Sequence, residues 1–313
     1  MASEIKINLP ILNPETGAPS RTFEYWGTID ELADGKVSDY KTTKDPDQFI
    51  FEKRISYQPE LYAHAAEVAL GVTISEVEYR VIQSPQILMC RTDEKNATEW
   101  GISVPDAYER RCVEWLWDSP SKLQTHTIPI NRRKMDSAKQ WLWDGAKRIL
   151  ENRRATRWMT NENACYKWSK QCEYGNACAQ MIEGVDWKST IDRFFKKAEI
   201  RYGEENPKLE PLSYSQVSLL TLCEMKYWFR YELGVVPDNH YDEATHTGSA
   251  SHVGIAAFRA GGQEAAFAAV DEWFKRQPVI GSLADKVEQQ RRRVRAIVRA
   301  ASQKWPAQKV EAA

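Results

Sequence analysis

Residues 27–62 read GTIDELADGKVSDYKTTKDPDQFIFEKRISYQPELY, two short β-like runs around a tight turn, then a loop, then a helix. Over 22–31 and 36–42, β-formers alternate with polar residues, and Asp34-Gly35 between them is a strong two-residue hairpin signal. With those two residues as the turn, Ala33 pairs with Lys36, Leu32 with Val37, Glu31 with Ser38 and Asp30 with Asp39. Two carboxylates then face each other with Cβ atoms about 4.5–5.5 Å apart, where like charges destabilise. A cation between them turns that cost into a binding site. Lys41, two residues past Asp39, falls on the same face by the strand's period. An ion such as Mg²⁺ is held by one or two carboxylates plus water and phosphate. It can activate water while a lysine steadies the nucleophile or the developing negative charge. Taken alone, these three residues fit an ordinary solvated hairpin equally well.

Before the hairpin stands a short strand over 4–9 and a Pro/Gly/Asn/Ser-rich loop. After it, 42–54 reads as a polar loop, and Ser56 caps a helix with Pro59 in its first turn. That helix carries Gln58 and Tyr62 on one face, with Leu61, Ala65, Val68 and Ala69 as its buried stripe. EVEYRVI and QILMC within 74–90 read as two more strands, and 107–117 and 136–152 as helices. Next, Arg153, Arg154 and Arg157 stand beside Trp158, Tyr166 and Trp168. This stretch fits a phosphate-tracking, base-stacking surface or a solvated basic face with packed tryptophans.

Cys165, Cys172 and Cys178 crowd together without the CxxC spacing of a zinc ribbon. Three thiols in a short loop favour a shared metal or cluster that needs one more ligand from elsewhere. A helix over 187–202 and a linker over 203–213 follow. Then comes one amphipathic helix over 213–233, capped by Ser213, with Cys223 midway and Gly234 as its stop. HTGSASHVGIAAFRAGG places small residues before His252, by itself a packed or capping histidine. Helices over 263–275 and 283–305 complete the chain, the last carrying Arg291, Arg292, Arg293, Arg295 and Arg299, which fit a backbone-contacting face or, more simply, an ordinary solvated helix.

At 313 residues the chain can build a substantial core, and its net charge of −1 requires any nucleic-acid affinity to come from local patches. No apolar run approaches a membrane span and no signal-peptide pattern opens the chain, so the expectation is a soluble protein of the cytoplasm. Six cysteines are too few for a disulfide scaffold, and Cys90 and Cys112 read as ordinary buried thiols.

Together these parts resemble the RecB-like branch of the PD-(D/E)xK nuclease superfamily, and within it the iron–sulfur members: AddB-type nuclease domains, CRISPR-associated iron–sulfur exonucleases and phage exonucleases. The matching residues are GTID with Asp30, DYKTTK with Asp39 and Lys41, YQPELYAHA with Gln58 and Tyr62, and GSASHVGIAAF with His252. SYSQVSLLTLCEMKYWFRYELG with Cys223 and the cysteine triplet also match. The resemblance implies an α/β, restriction-endonuclease-like core, a mixed central sheet flanked by helices, with an additional helical region and a four-cysteine metal cluster. It implies a metal-dependent DNA nuclease, an exonuclease, in a bacterial or phage-infected cell. Asp30, Asp39, His252 and the Tyr40 carbonyl would hold Mg²⁺ or Mn²⁺, Lys41 would act on the water or the phosphorane-like charge, and Gln58 and Tyr62 would orient DNA or Lys41. Cys165, Cys172, Cys178 and Cys223 would hold a structural 4Fe-4S cluster, with zinc as the other candidate. The partner is DNA, and any helicase or recombination protein is a separate chain. The rivals are a non-catalytic DNA-binding or scaffold subunit and a zinc-stabilised structural protein.

In that family the Cys223-type helix and the histidine motif precede the aspartate motifs, whereas here they follow the cysteine triplet, so the order looks circularly permuted. The expected organisation is 1–178 as one part of the nuclease core, 179–213 as a connection, and 214–313 completing the same domain.

Overall fold

The structure, a computed structural model, describes residues 2–33, 35–167, 170–198, 208–238, 243–276 and 284–306. Strand β1 (Ala2–Leu12) pairs antiparallel with β2 (Pro19–Ala33) from Ala2 opposite Leu32 to Leu12 opposite Pro19. Phe23, Tyr25 and Ile29 of β2 are buried, as alternation along a half-buried strand requires. β3 (Lys36–Thr43) pairs with β2 only at Glu31–Ser38, Leu32–Val37 and Ala33–Lys36, then runs parallel to β4 (Glu76–Gln83) along its whole length. β5 (Leu123–Pro129) closes that side antiparallel to β4.

The parallel β3–β4 pair needs a crossover, and α1 (Pro46–Ile55) with α2 (Gln58–Leu70) supplies it. After β4 come α3 (Arg91–Trp100) and α4 (Val104–Trp117); after β5 comes α5 (Arg132–Ala155). The cysteine region follows, with α6 (Glu162–Cys165), β6 (Tyr166–Lys167), β7 (Lys170–Gln171), α7 (Gly175–Glu183), α8 (Lys188–Phe194) and β8 (Phe195–Lys197). The chain then re-enters the main sheet as β9 (Glu210–Leu212), parallel to β2 at Phe23–Tyr25, making six strands. α9 (Tyr214–Leu222), α10 (Glu224–Tyr227), a π turn over Trp228–Glu232, β10 (Val235–Pro237), α11 (Glu243–Lys275) and α12 (Ala284–Lys304) complete it.

The sheet is mixed and flanked by helices on both faces, a restriction-endonuclease-like core with an additional helical region. One core packs Val37, Tyr79 and Val81 of the sheet against Leu61 of α2, Leu142 of α5 and Val217 of α9. The other packs Tyr40 and Ile82 against Leu116 of α4, Ile255 of α11 and Ile297 of α12. Among the described residues no helix is long and apolar enough to cross a membrane.

Several local expectations are corrected. The supposed loop 42–54 contains α1, whose N-cap Asp45 accepts from the Gln48 amide and whose Pro46 stands in the first turn. Ser56 closes that helix, its N–H donating to the Glu52 carbonyl, and Tyr57, not Ser56, precedes α2. Leu61 and Ala65 are buried, but Val68 and Ala69 are exposed because the inward stripe runs through Ala63 and Ala66. QILMC is no strand; the place beside β4 goes to β5, whose LQTHTIP alternates more regularly. Within 187–198 stand the short α8 and then β8, with 199–202 of the expected helix outside the described residues, and 213–233 is not one helix, because Cys223 is extended at φ −164°, ψ 114°. Cys112 is buried but Cys90 is exposed. The arginines of α12 are not a solvated face: Arg292, Arg295 and Arg299 converge on the buried Glu109 of α4, and Arg293 is itself buried. Asp34, Trp168, 203–207 of the linker and the tail from 307 lie outside the described residues.

α11 breaks at Gly262 (φ 76°) and doubles back, so that a Cβ at Gly254 would stand 2.6 Å from Val298 Cγ2 of α12 and 2.7 Å from Val270 Cγ2 of its own far arm. Overpacking of this kind costs about 1–3 kcal/mol. Gly254→Ala therefore lowers the thermal midpoint by that equivalent, measured by circular dichroism against wild type.

Candidate active site

The β2–β3 ladder ends at Glu31–Ser38, one pair short of Asp30–Asp39. There the Tyr40 N–H donates to Asp30 Oδ2 at 2.9 Å instead of to a main-chain carbonyl. His252 of α11 stands on the same oxygen, Nδ1 to Oδ2 3.2 Å. On β3, Lys41 Nζ donates to Asp39 Oδ1 at 2.7 Å. Asp39 is 1% exposed, and its second oxygen, Oδ2, is buried without a hydrogen-bond partner. The segment 27–62 and a helix more than two hundred residues later thus meet in one chain.

The two acids are electrostatically unlike. Burial pushes the Asp39 carboxyl up to about 6, aided by the Asp30 charge and opposed by Lys41. Burial also works to raise Asp30, but the His252 hydrogen bond and charge, the Lys41 charge and the Tyr40 amide outweigh it and hold Asp30 well below the usual carboxylate range. Burial lowers Lys41, yet Asp39 and Asp30 more than offset it, so its pKa is raised and it stays an ammonium.

On α2, Gln58 Nε2 donates to the Tyr62 hydroxyl at 2.9 Å, and Lys53 of α1 donates to Gln58 Oε1 at 2.5 Å. Lys53 was hidden in the stretch read as a loop; the D-P-D start of α1 was the available signal. Behind the acids, Glu31, only 2% exposed, is held by Arg80 Nη1 at 2.6 Å and by Arg259. Both arginines also donate to the Tyr40 hydroxyl, Arg80 at 2.6 Å and Arg259 at 2.8 Å. Periodicity gave no sign of this cluster, because its members come from β2, β3, β4 and α11.

Among the described residues no group of three or more His, Cys, Asp or Glu side chains is already arranged to hold a metal ion. At the acid pair, Lys41 engages Asp39 and His252 engages Asp30. The donor set still fits a hard cation, with two adjacent carboxylates, an unpartnered buried oxygen and an imidazole.

Cys165, Cys172, Cys178 and Cys223, all free thiols, line one cavity of about 20 Å³ with Tyr174 and Phe229. Cys172 N–H donates to the Cys165 carbonyl at 2.7 Å, bringing the first two together. Burial first, then the neighbouring Cys165, Cys223 and Cys172, pushes the Cys178 thiol up to about 11. These free thiols share one cavity, but among the described residues they too form no group arranged to hold a metal ion. The basic-aromatic stretch beside them is partly committed elsewhere. Arg153 is paired to Glu210 and Glu232, and Trp158 stacks on Tyr227, while Arg154 and Arg157 remain exposed.

Residues 211–312 match the family described as the PD-(D/E)XK nuclease superfamily. Neither curated proteins nor solved structures yielded a match. The matched segment includes Cys223 and His252; the acid pair lies outside it.

An ion binding at Asp39 must displace its proton below pH 6. In the metal-free protein the raised pKa favours the fold at low pH, and that contribution is lost as pH rises from the ordinary carboxylate value through about 6. Metal affinity runs the other way. Calorimetric Mn²⁺ titration of DNA-free protein should weaken by about tenfold per pH unit below that point, and Asp39→Asn should remove both the binding and its pH dependence.

Proposed function

We propose that this chain is a metal-dependent deoxyribonuclease, an exonuclease of the RecB-like kind, hydrolysing phosphodiester bonds. The observation that carries the reading is the meeting of the Asp39–Lys41 pair with the Asp30–His252 pair in a family-matched chain. Asp30, Asp39, His252 and the Tyr40 carbonyl would hold Mg²⁺ or Mn²⁺. When bound, such an ion lowers the pKa of water and offsets charge on the phosphoryl oxygens. Lys41 keeps its proton, so it acts on developing negative charge and not as the base. Asp39 holds that ammonium in place through Oδ1 and leaves Oδ2 for the cation. Gln58 and Tyr62, locked to each other, present a fixed polar edge beside the acids.

Cys165, Cys172, Cys178 and Cys223 would carry a 4Fe-4S cluster that staples their lobe; four thiolates also suit zinc. The motif order supports a circular permutation in which 1–178 and 214–313 complete one domain.

With Mn²⁺ and end-labelled DNA, wild type should release nucleotides, and Lys41→Ala should be slower by at least about a hundredfold, the scale of losing one charge-stabilising donor. No cleavage by either protein would leave the scaffold reading in its place. Protein purified without air should be brown and contain iron, and Cys178→Ser should lose both colour and thermal stability; colourless protein with stoichiometric zinc would replace the cluster by the ion.

A further inference from the structure

Lys53 lies on the inward side of α1, three residues after the buried Ile50 and four after the partly buried Phe49. Its ammonium stands 5.1 Å from the Phe49 ring centroid and 6.0 Å from that of Tyr214. A lysine so placed is normally paired with an acid, because a half-buried cation loses hydration it must recover. Among the described residues no carboxylate lies within ion-pair distance of Lys53, and its one hydrogen bond goes to the neutral Gln58 Oε1 at 2.5 Å. Glu52, the adjacent acid, is turned outward and accepts from Gln48.

The orientation is set from the other side. Gln58 Nε2 is committed to the Tyr62 hydroxyl, which fixes the amide so that its oxygen faces Lys53. An ammonium has three donors, and the other two make no hydrogen bond among the described residues. Charge bookkeeping at the neighbouring centre points the same way. Asp30 and Asp39 together match the charge of one divalent ion, so with that ion bound neither the Lys41 nor the Lys53 ammonium has a carboxylate left to neutralise it. The Lys53 charge is then left for an anion that arrives from outside.

We propose that Lys53, held by Gln58, is a phosphate-contacting residue for the DNA strand entering the acid site. This rests on the nuclease reading, and it assigns the Gln58–Tyr62 pair a role in aiming Lys53 at the backbone. The burial of Lys53 and the nearby Lys41 charge lower its pKa, and a bound phosphate would favour its charged form.

The test is fluorescence anisotropy with a labelled single-stranded oligothymidylate, with Ca²⁺ in place of Mg²⁺ so that binding is read without turnover. Lys53→Met keeps the aliphatic stem against Phe49 and Tyr214 and removes the charge; Lys53→Arg keeps the charge. Lys53→Met should weaken binding about tenfold and make the salt dependence shallower by about 0.7 in log–log slope, the contribution of one phosphate contact on a single strand. Lys53→Arg should bind within about threefold of wild type, and Mn²⁺ affinity without DNA should stay within about threefold of wild type in both, as expected of a phosphate contact that is not itself a metal ligand. Wild-type binding and slope in Lys53→Met, equal losses in Met and Arg variants, or a matching loss of Mn²⁺ affinity would each overturn the assignment. In the first of these cases, Mn²⁺-dependent cleavage by wild type leaves the nuclease reading standing; a wild type that neither binds nor cleaves DNA overturns both.

Discussion

The amide of Tyr40 must find an acceptor, and the arrangement of the acid site follows from where it finds one. In a regular continuation of the β2–β3 ladder, Tyr40 would pair with Ile29, but the ladder stops after Glu31–Ser38. A buried N–H left unpaired is costly. The Asp30 carboxylate takes the place of the missing carbonyl, which draws a charged side chain into the sheet beside Asp39. β2 has little freedom to adjust, since β1 covers one edge almost end to end, while β3 and β9 divide the other. Ile29 and Leu32, three residues apart, both pack on the same core, so strict alternation is broken at the residues that carry the acids.

The break is held from behind. Glu31 points away from Asp39 into a cluster with Arg80, Arg259 and the Tyr40 hydroxyl. Removing one partner from such a buried set would leave an uncompensated charge, so the cluster constrains geometry more than it adds stability. Arg259 lies seven residues after His252, two turns along α11 and on the same side of it. The helix is therefore tied to the strand pair at two points, one at Glu31 and Tyr40, the other at Asp30. Tyr40 joins both: its amide serves the front of the sheet and its hydroxyl the back.

This division explains what could be read from the sequence. The hairpin register followed from Asp34-Gly35 and alternation, and three of its four predicted pairs are present. The fourth was lost because period-2 reasoning has no means of knowing that a side chain will replace a carbonyl. Asp39 beside Lys41, and Gln58 beside Tyr62, are local in sequence and were legible. Lys53 was missed because α1 buries few residues, and 42–54, apart from Phe49–Phe51, is polar. The Glu31 cluster and the arginine convergence on Glu109 were illegible for a different reason. Each is made by residues tens to hundreds of positions apart, and a charged helix face looks the same whether solvated or paired. His252 was read from its sequence as a packed histidine; only the resemblance placed it with the acids.

The cysteine lobe poses a separate stability problem. Its core contains few fully buried side chains, chiefly Tyr174, Phe229, Ile191 and Met225, and its ladders are only two or three residues long. A core of that size is the kind that needs a staple. The helix that begins at Tyr214 breaks at Cys223, and the break lets Cys223 serve as the N-cap of α10 while its thiol joins the other three. Leu220 and Tyr227, on either side of the break, are nevertheless both buried in the main core. On the proposed reading a four-thiolate site supplies the staple, since binding free energy at such a site is folding free energy. The same break sends Glu224 to Arg148 and Asn152 of α5, which anchors the lobe to the main sheet and its helices through charged bonds on one side of the cysteine cavity.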